Sequence, residues 1–201
     1  MKPENVGAII LAAGNSTRMN SWKPFLKFDK DNTFIEKIIS TFLHWGCQKI
    51  VIVINKDVKN QSEYFDQLPE KVTCVLNEHP EFERFYSVKF GLQTIRKSDF
   101  CFIQNVDNPF IDSQILDLLY QQRSDEKYVS PVFENKGGHP VLLNRENINH
   151  ICNWSENSAN FKEVLDTMES LKVEMPDDRV LININSPEEY KRFFTYIPEW
   201  N

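Results

Sequence analysis

Apolar residues fall along this chain in short runs that alternate with helical stripes. Val6 to Ala13 is a continuous apolar run; the β-branched Lys49 to Asn55, the short Val72 to Leu76, and Asp99 to Gln104 follow it. Runs of this length, bounded by polar loops, predict buried strands and are far too short to span a membrane. Between the first two, Ile35, Ile38, Ile39, Phe42 and Leu43 recur at helical spacing. Thr33-x-x-Glu36 predicts a capping box ahead of them, and Gly46 predicts the stop. A polar helical segment is expected from about Asp57 to Leu68. Beyond a polar loop from Asn77 to Glu83, which carries Pro80, the residues Phe85, Val88, Leu92 and Ile95 form a second stripe. Asp112 is placed to cap a helix with apolar Ile115, Leu116, Leu118 and Leu119. This strand–helix alternation predicts a parallel sheet.

The second half breaks the alternation. Tyr128 to Phe133 and Pro140 to Leu143 read as strands, with a turn expected at Gly137-Gly138. Ser158 is expected to cap a helix containing Phe161, Val164 and Leu165. Leu171 to Glu174 and Val180 to Ile184 read as the last strands. Ser186-Pro187-Glu188-Glu189 opens a final helix, with a capping residue, proline at the first position and glutamate three residues on. The stretch from about Ser130 to Arg179 reads as an elaboration that forms the acceptor side of a site. No repeat or Gly/Ser linker divides the chain, so a single domain over residues 1–201 is expected. The fold class is α/β: a Rossmann-like, mostly parallel twisted sheet flanked by helices.

Composition adds limits. A hydrophobic fraction of 41% and a charged fraction of 26% belong to an ordinary globule. Net charge is −6, which argues against a nucleic acid or an anionic membrane as partner. An anionic ligand would need a local positive field, and Arg18, Lys23 and Lys27 are its obvious source. The first residues, Met-Lys-Pro-Glu-Asn, lack the apolar core of a signal peptide. Cys47, Cys74, Cys101 and Cys152 are scattered without any Cys-x-x-Cys, so they read as small hydrophobes. A cytoplasmic setting is expected.

The first strand ends in a small, polar loop. Gly14 lets the backbone turn sharply and approach a ligand closely, and consecutive loop N–H groups can point at an anion. Ser16 adds a hydroxyl; Arg18 and Lys23 add cations. A triphosphate would sit at such a strand end in an open α/β sheet. The residues alone read equally well as a solvated surface loop, since neither Gly-x-x-x-x-Gly-Lys-Ser/Thr nor Gly-x-Gly-x-x-Gly is present. Asp107 follows the fourth strand in Asn105-Val106-Asp107-Asn108-Pro109. It could hold a hard cation or simply belong to a turn. Gly137-Gly138-His139-Pro140-Val141 likewise reads as a turn with a structural histidine or as a ligand contact.

The wording of these stretches narrows the choice. Leu-Ala-Ala-Gly-x-Ser-x-Arg-Met, from Leu11 to Met19, with Lys23 beyond it, resembles the signature of the MobA-like nucleotidyltransferases. The Ala12-Ala13 form is most similar to the molybdenum cofactor cytidylyltransferase branch; the guanylyltransferase branch usually reads Leu-Ala-Gly-Gly. Asp107 and Pro109 fall on the family's Gly-Asp-Gln/Met-Pro. Asn185 falls on the second aspartate of its Asp-Ile-Asp-Thr-Pro-Glu-Asp-Tyr. Gly138 to Val141 matches the Gly-His-Pro-Val of the cytidylyltransferase branch. Asn20, Glu83, Val106 and Asn185 depart from the family's residues.

The resemblance implies a fold of the nucleotide-diphospho-sugar transferase type and transfer of CMP from CTP to a phosphorylated acceptor, molybdopterin, with release of pyrophosphate. It implies Arg18, Lys23 and Asp107 as catalytic residues. Leu11, Ala12, Ala13, Gly14, Ser16, Arg18, Lys23, Asn77 and Ser87 would bind the nucleotide. His139 would face the acceptor, and Asp107 with Asn185 would hold magnesium (Mg2+). Transient contact with a molybdoenzyme or its chaperone is a further implied partnership. Two alternatives stay open: a sugar-phosphate nucleotidyltransferase, and a non-catalytic nucleotide-binding protein whose departures mark a decayed site. A nicotinamide oxidoreductase is argued against by the missing Gly-x-Gly-x-x-Gly.

Overall fold

The computed structural model describes residues 5–14, 19 and 21–194. In chain order the strands and helices are β1 (Val6–Leu11), α1 (Phe34–Trp45), β2 (Lys49–Ile54), α2 (Lys56–Lys59), β3 (Val72–Leu76), α3 (Glu83–Thr94), β4 (Phe100–Asn105), α4 (Ser113–Gln121), β5 (Tyr128–Phe133), β6 (Lys136–Gly137), β7 (Val141–Asn144), α5 (Arg145–Cys152), α6 (Phe161–Asp166), β8 (Ser170–Glu174) and α7 (Pro187–Phe193). One eight-stranded sheet runs in the order β3-β2-β1-β4-β7-β5-β6, with β8 beside β5.

β1 lies between β2 and β4, parallel to both. All six of its residues are buried. Successive side chains of a strand point to opposite faces, and β1 obeys this. Ala8 and Ile10 pack with Phe34, Ile38 and Leu116 on one side, while Ile9 and Leu11 pack with Val88, Leu92 and Ile148 on the other. A continuous apolar run is what a strand covered on both faces requires.

The second half of the sheet is mixed. β7 runs antiparallel to β4, with Val141 opposite Ile103. The start of β7 therefore lies at the same edge as the carboxyl ends of β1 and β4. Loops from both halves of the sheet meet at that edge.

Local capping is as the residues dictate. Thr33 accepts from the Glu36 amide while Glu36 accepts from the Thr33 amide, and Gly46 ends α1 at φ 112°. Asp112 caps α4 by accepting from the Ile115 amide. Ser186 and Glu189 close a capping box on α7, with Pro187 inside its first turn. Among the described residues no helix is long and apolar enough to cross a membrane.

Four expectations need correction. The helical segment from Asp57 to Leu68 is two pieces, α2 and a 3-10 turn at Glu63–Asp66, because Ser62 caps the second piece and only Val58 and Phe65 anchor them in the core. Asn160, not Ser158, caps α6: its side chain accepts from the Lys162 amide, whereas Ser158 donates to Glu156. The turn between β5 and β6 is at Glu134 and Asn135, with φ of 49° and 63°, and Gly137 lies within β6. Val180 to Ile184 forms no strand. Asp178–Leu181 is a 3-10 turn, and the Val180 carbonyl accepts from the His139 amide and the Asn108 side chain instead of a strand neighbour. α5 was not foreseen; Asn144 and Asn147 cap it with amide side chains.

Gly138 has a packing role. A Cβ there would stand 2.3 Å from the Val180 carbonyl oxygen, whereas a Cβ on Gly137 would meet nothing within 4 Å. Gly138→Ala should therefore cost about 1–3 kcal/mol of stability by overpacking. Gly137→Ala should stay within about 0.5 kcal/mol of the parent. Urea denaturation of both variants tests the pair, and equal losses would contradict this packing.

Candidate active site

The site begins where β1 ends. The Val106 amide donates to the Leu11 carbonyl at 3.1 Å, and the Ala12 amide donates to Val53 at 2.8 Å. Asn55 caps α2 and also donates its side-chain amide to the Ala13 carbonyl at 2.9 Å. Leu11 and Ala12 are buried, Ala13 is half-buried and Gly14 is exposed. Gly14 does not adopt the left-handed conformation, and a Cβ there would meet open space. The sharp turn expected at Gly14 is thus not a left-handed one, and no described neighbour crowds the place of a side chain there. Ser16, Arg18 and Asn20 lie outside the described residues.

Lys23 opens a 3-10 turn at Lys23–Phe25. Its Nζ lies 3.0 Å from Asp107 Oδ2 and 2.7 Å from Asn185 Oδ1. The side chains of Lys23 and Asp107 are 16% and 22% exposed, so this is a partly desolvated pair. The other carboxylate oxygen, Asp107 Oδ1, is buried with no hydrogen-bond partner among the described residues. A buried acceptor left unmade is costly unless a ligand takes it up.

Several side chains fix this convergence. The Ile184 amide donates to the Asp107 carbonyl at 2.7 Å. The amides of Asn185 and Ser186 both donate to Glu189 Oε2, at 2.6 and 3.0 Å. Asn108, fully buried, donates to the carbonyls of Val180 and Arg179, and Gln104 donates to the Asn108 carbonyl. Tyr190 donates its hydroxyl to the Lys27 carbonyl at 2.7 Å, tying α7 to the loop beyond Lys23. Lys27 therefore enters the site's architecture through its backbone.

Asp107 and Asn185 supply one carboxylate and one amide oxygen that already converge on a single cation, the Lys23 ammonium. Magnesium takes the same hard oxygen donors and commonly completes its shell with water and substrate phosphates. The converging oxygens and the unmatched Oδ1 fit such an ion. Among the described residues there is no group of three or more His, Cys, Asp or Glu that could hold a metal without substrate oxygens.

Across the site, Arg84 lies with a terminal guanidinium nitrogen 3.1 Å from His139 Nε2. Guanidinium has donors only, so Nε2 must accept and the neutral ring carries its proton on Nδ1. That Nδ1 is buried without a partner among the described residues. Burial, and then the Arg84 charge, pull the His139 pKa down to about 3. Arg84 is exposed by area yet densely surrounded; burial lowers its pKa and Asp107 opposes the shift. It stays a cation at neutral pH.

Asn77 and Ser87 are buried at 3% and 4% exposure, and Asn77 donates to Ser87 at 2.9 Å. Asn77 also accepts from the His79 amide. The pair thus fastens the loop after β3 to the first turns of α3. Arg84, Asn108, Glu189 and Tyr190 were not anticipated as site residues. Arg84 had one visible sign, a charge set in the aromatic run Phe82, Phe85, Tyr86 one turn before Ser87.

The profile described as the MobA-like NTP transferase domain matches residues 8–173. The Escherichia coli protein named molybdenum cofactor cytidylyltransferase is 22% identical over 187 residues, covering 92% of this chain and 93% of its own. The Natranaerobius thermophilus protein named probable molybdenum cofactor guanylyltransferase is 26% identical over 210 residues, covering 96% and 97%. Among solved structures, a nucleotidyl transferase from Methanothermobacter thermautotrophicus superposes with a TM-score of 0.77 at 17% identity, covering 94% and 96%. The fold is of the nucleotide-diphospho-sugar transferase type.

The His139 environment makes a pH prediction. Its folded-state pKa lies below the ordinary value of 6.5, so the unfolded chain takes up the proton first. The contribution is fully present above about pH 6.5 and is lost as pH falls toward about 3. Ring signals of His139 in an NMR titration should stay unshifted from about pH 8 to about pH 5, in contrast to an ordinary imidazole. A midpoint near 6.5 would overturn the assignment.

Proposed function

We propose a function from one premise: the chain belongs to the family of MobA-like NTP transferase domains. It is therefore a nucleotidyltransferase. The finer reading is that CTP donates CMP to the terminal phosphate of molybdopterin. The observation that carries nucleotidyl transfer is the convergence of Lys23, Asp107 and Asn185 at the carboxyl ends of β1 and β4. The Ala12-Ala13 wording, the Gly-His-Pro-Val stretch and the name of the Escherichia coli relative support CTP and molybdopterin. GTP is the second reading, favoured by the name of the Natranaerobius relative. The four free cysteines suit the cytoplasm. A molybdoenzyme or its chaperone would be the receiver of the product.

In this reading an oxygen of the acceptor phosphate attacks the α-phosphorus in line. One phosphorus–oxygen bond forms as the bond to the pyrophosphate oxygen breaks, and pyrophosphate leaves with the electron pair. The attacking phosphate is already anionic, so the protein need not supply a strong base. Its work is alignment and charge stabilisation. The backbone from Leu11 to Gly14 lines the nucleotide's place; the family wording adds Ser16 and Arg18 to the residues that would bind it. Asn77 and Ser87 shape the wall that reads base and ribose. Lys23, on its flexible stem, stabilises phosphate charge. Asp107 and Asn185 would hold magnesium, which when bound offsets charge on phosphate oxygens. His139, neutral, accepts from Arg84 on the acceptor side.

Two measurements test this. Pyrophosphate release with each of the four triphosphates, magnesium and molybdopterin should be fastest with CTP; faster release from GTP would replace CTP in the reading. Magnesium titration of variants tests the ligands. Asp107→Ala should lose nearly all turnover. Asn185→Asp adds a carboxylate and should lower the magnesium concentration for half-maximal rate. Normal activity in Asp107→Ala would sink the metal assignment.

A further inference from the structure

Transfer between two phosphates brings two anions into one site, and each needs its own counter-charge. On the nucleotide side Lys23 is already engaged with Asp107. On the other side the available cation among the described residues is Arg84. Among the described residues it has no ion pair with a carboxylate, and one of its five N–H groups, toward His139 Nε2, has a protein acceptor. The carbon of its guanidinium lies 5.5 Å from the centre of the Phe161 ring, which gives the plane a backing surface. Asp107 is near enough to act on its charge. His139 lies in a segment held by the Val180 carbonyl and by the close fit of Gly138, so the ring that steadies Arg84 is itself fixed.

We propose that Arg84 and His139 together form the seat of the acceptor's terminal phosphate, with Arg84 the charge-bearing, specificity-determining residue. This rests on the nucleotidyl-transfer reading given above. A guanidinium fork suits a phosphomonoester because two of its donors meet two phosphate oxygens at once. His139 accepts from Arg84 and stays neutral, so it orients the fork without repelling it. The Nδ1–H of His139 is buried and has no acceptor among the described residues. The seat selects acceptors by a terminal phosphate and leaves the rest of the acceptor to the neighbouring loops.

The test uses methyl phosphate as the probe, titrated by calorimetry into the full chain alone and again with magnesium and a non-hydrolysable CTP analogue. The parent should bind the probe in both conditions, with methyl sulfate binding more weakly. Arg84→Ala should weaken methyl phosphate binding about tenfold or more, the scale of one charged bidentate contact. Arg84→Lys should fall between, since it keeps the charge but loses the fork. Affinity for the CTP analogue should change by less than about twofold in either variant. Equal probe binding in Arg84→Ala overturns the seat, as does displacement of the probe by the analogue or failure of the parent to bind it. Probe binding that depends on Arg84, with no pyrophosphate released from any triphosphate, would sink the proposed function and leave the seat standing. Full turnover with an unchanged acceptor KM in Arg84→Ala would do the reverse.

Discussion

The constraint on which the rest depends is the burial of β1 between two parallel neighbours. A strand covered on both faces and paired on both edges has no place for polar side chains, and Val6 to Leu11 carries none. Because β2 and β4 lie on opposite sides of it, their crossovers leave in opposite directions, and a crevice opens at its carboxyl end. Leu11 to Gly14 form the floor of that crevice. Val106 and Asn55 pin the floor from the two neighbouring strands. Everything chemical is then added around a rigid base, which is where positioning is worth most.

Much of this was legible because its causes are local. Thr33 and Glu36, or Ser186, Pro187 and Glu189, lie within three residues of one another, and their chemistry admits few other uses. The apolar runs of β1, β2 and β3 were equally plain, since continuous burial leaves no polar position to confuse the pattern. Errors arose where a distant partner decides the outcome. Val180 to Ile184 has the composition of a strand, but Asn108, 72 residues earlier, takes its carbonyl. Gly138 looked like a turn former, yet its small size answers to Val180. Asp107 and Asn185 were readable as site residues through family resemblance; that Lys23 bridges them, 84 and 162 residues away, was not. Arg84 escaped because nothing near it in sequence announces His139, 55 residues on.

Charge has a similar local logic. The chain as a whole is acidic, at −6. Within the site, cations and carboxylate alternate: Lys23 at Asp107, with Arg84 beyond. Net charge therefore says little about what this crevice attracts. His139 adds polarity without adding charge, because burial and Arg84 both oppose its protonation.

The sheet itself is of two kinds, parallel from β3 to β4 and mixed from β7 onward. The residues proposed to handle the donor stem mostly from the parallel half; His139 comes from the other. Asp178–Leu181 fastens the two together: its carbonyls accept from the His139 amide and the Asn108 side chain, and Arg179 pairs with Asp112. A join of that sort needs Asn108 on one side and Gly138 on the other to stay as they are. Descendants of such a chain that kept both could exchange the rest of the hairpin and its following helices for others, and so meet new acceptors, while inheriting the phosphate chemistry intact.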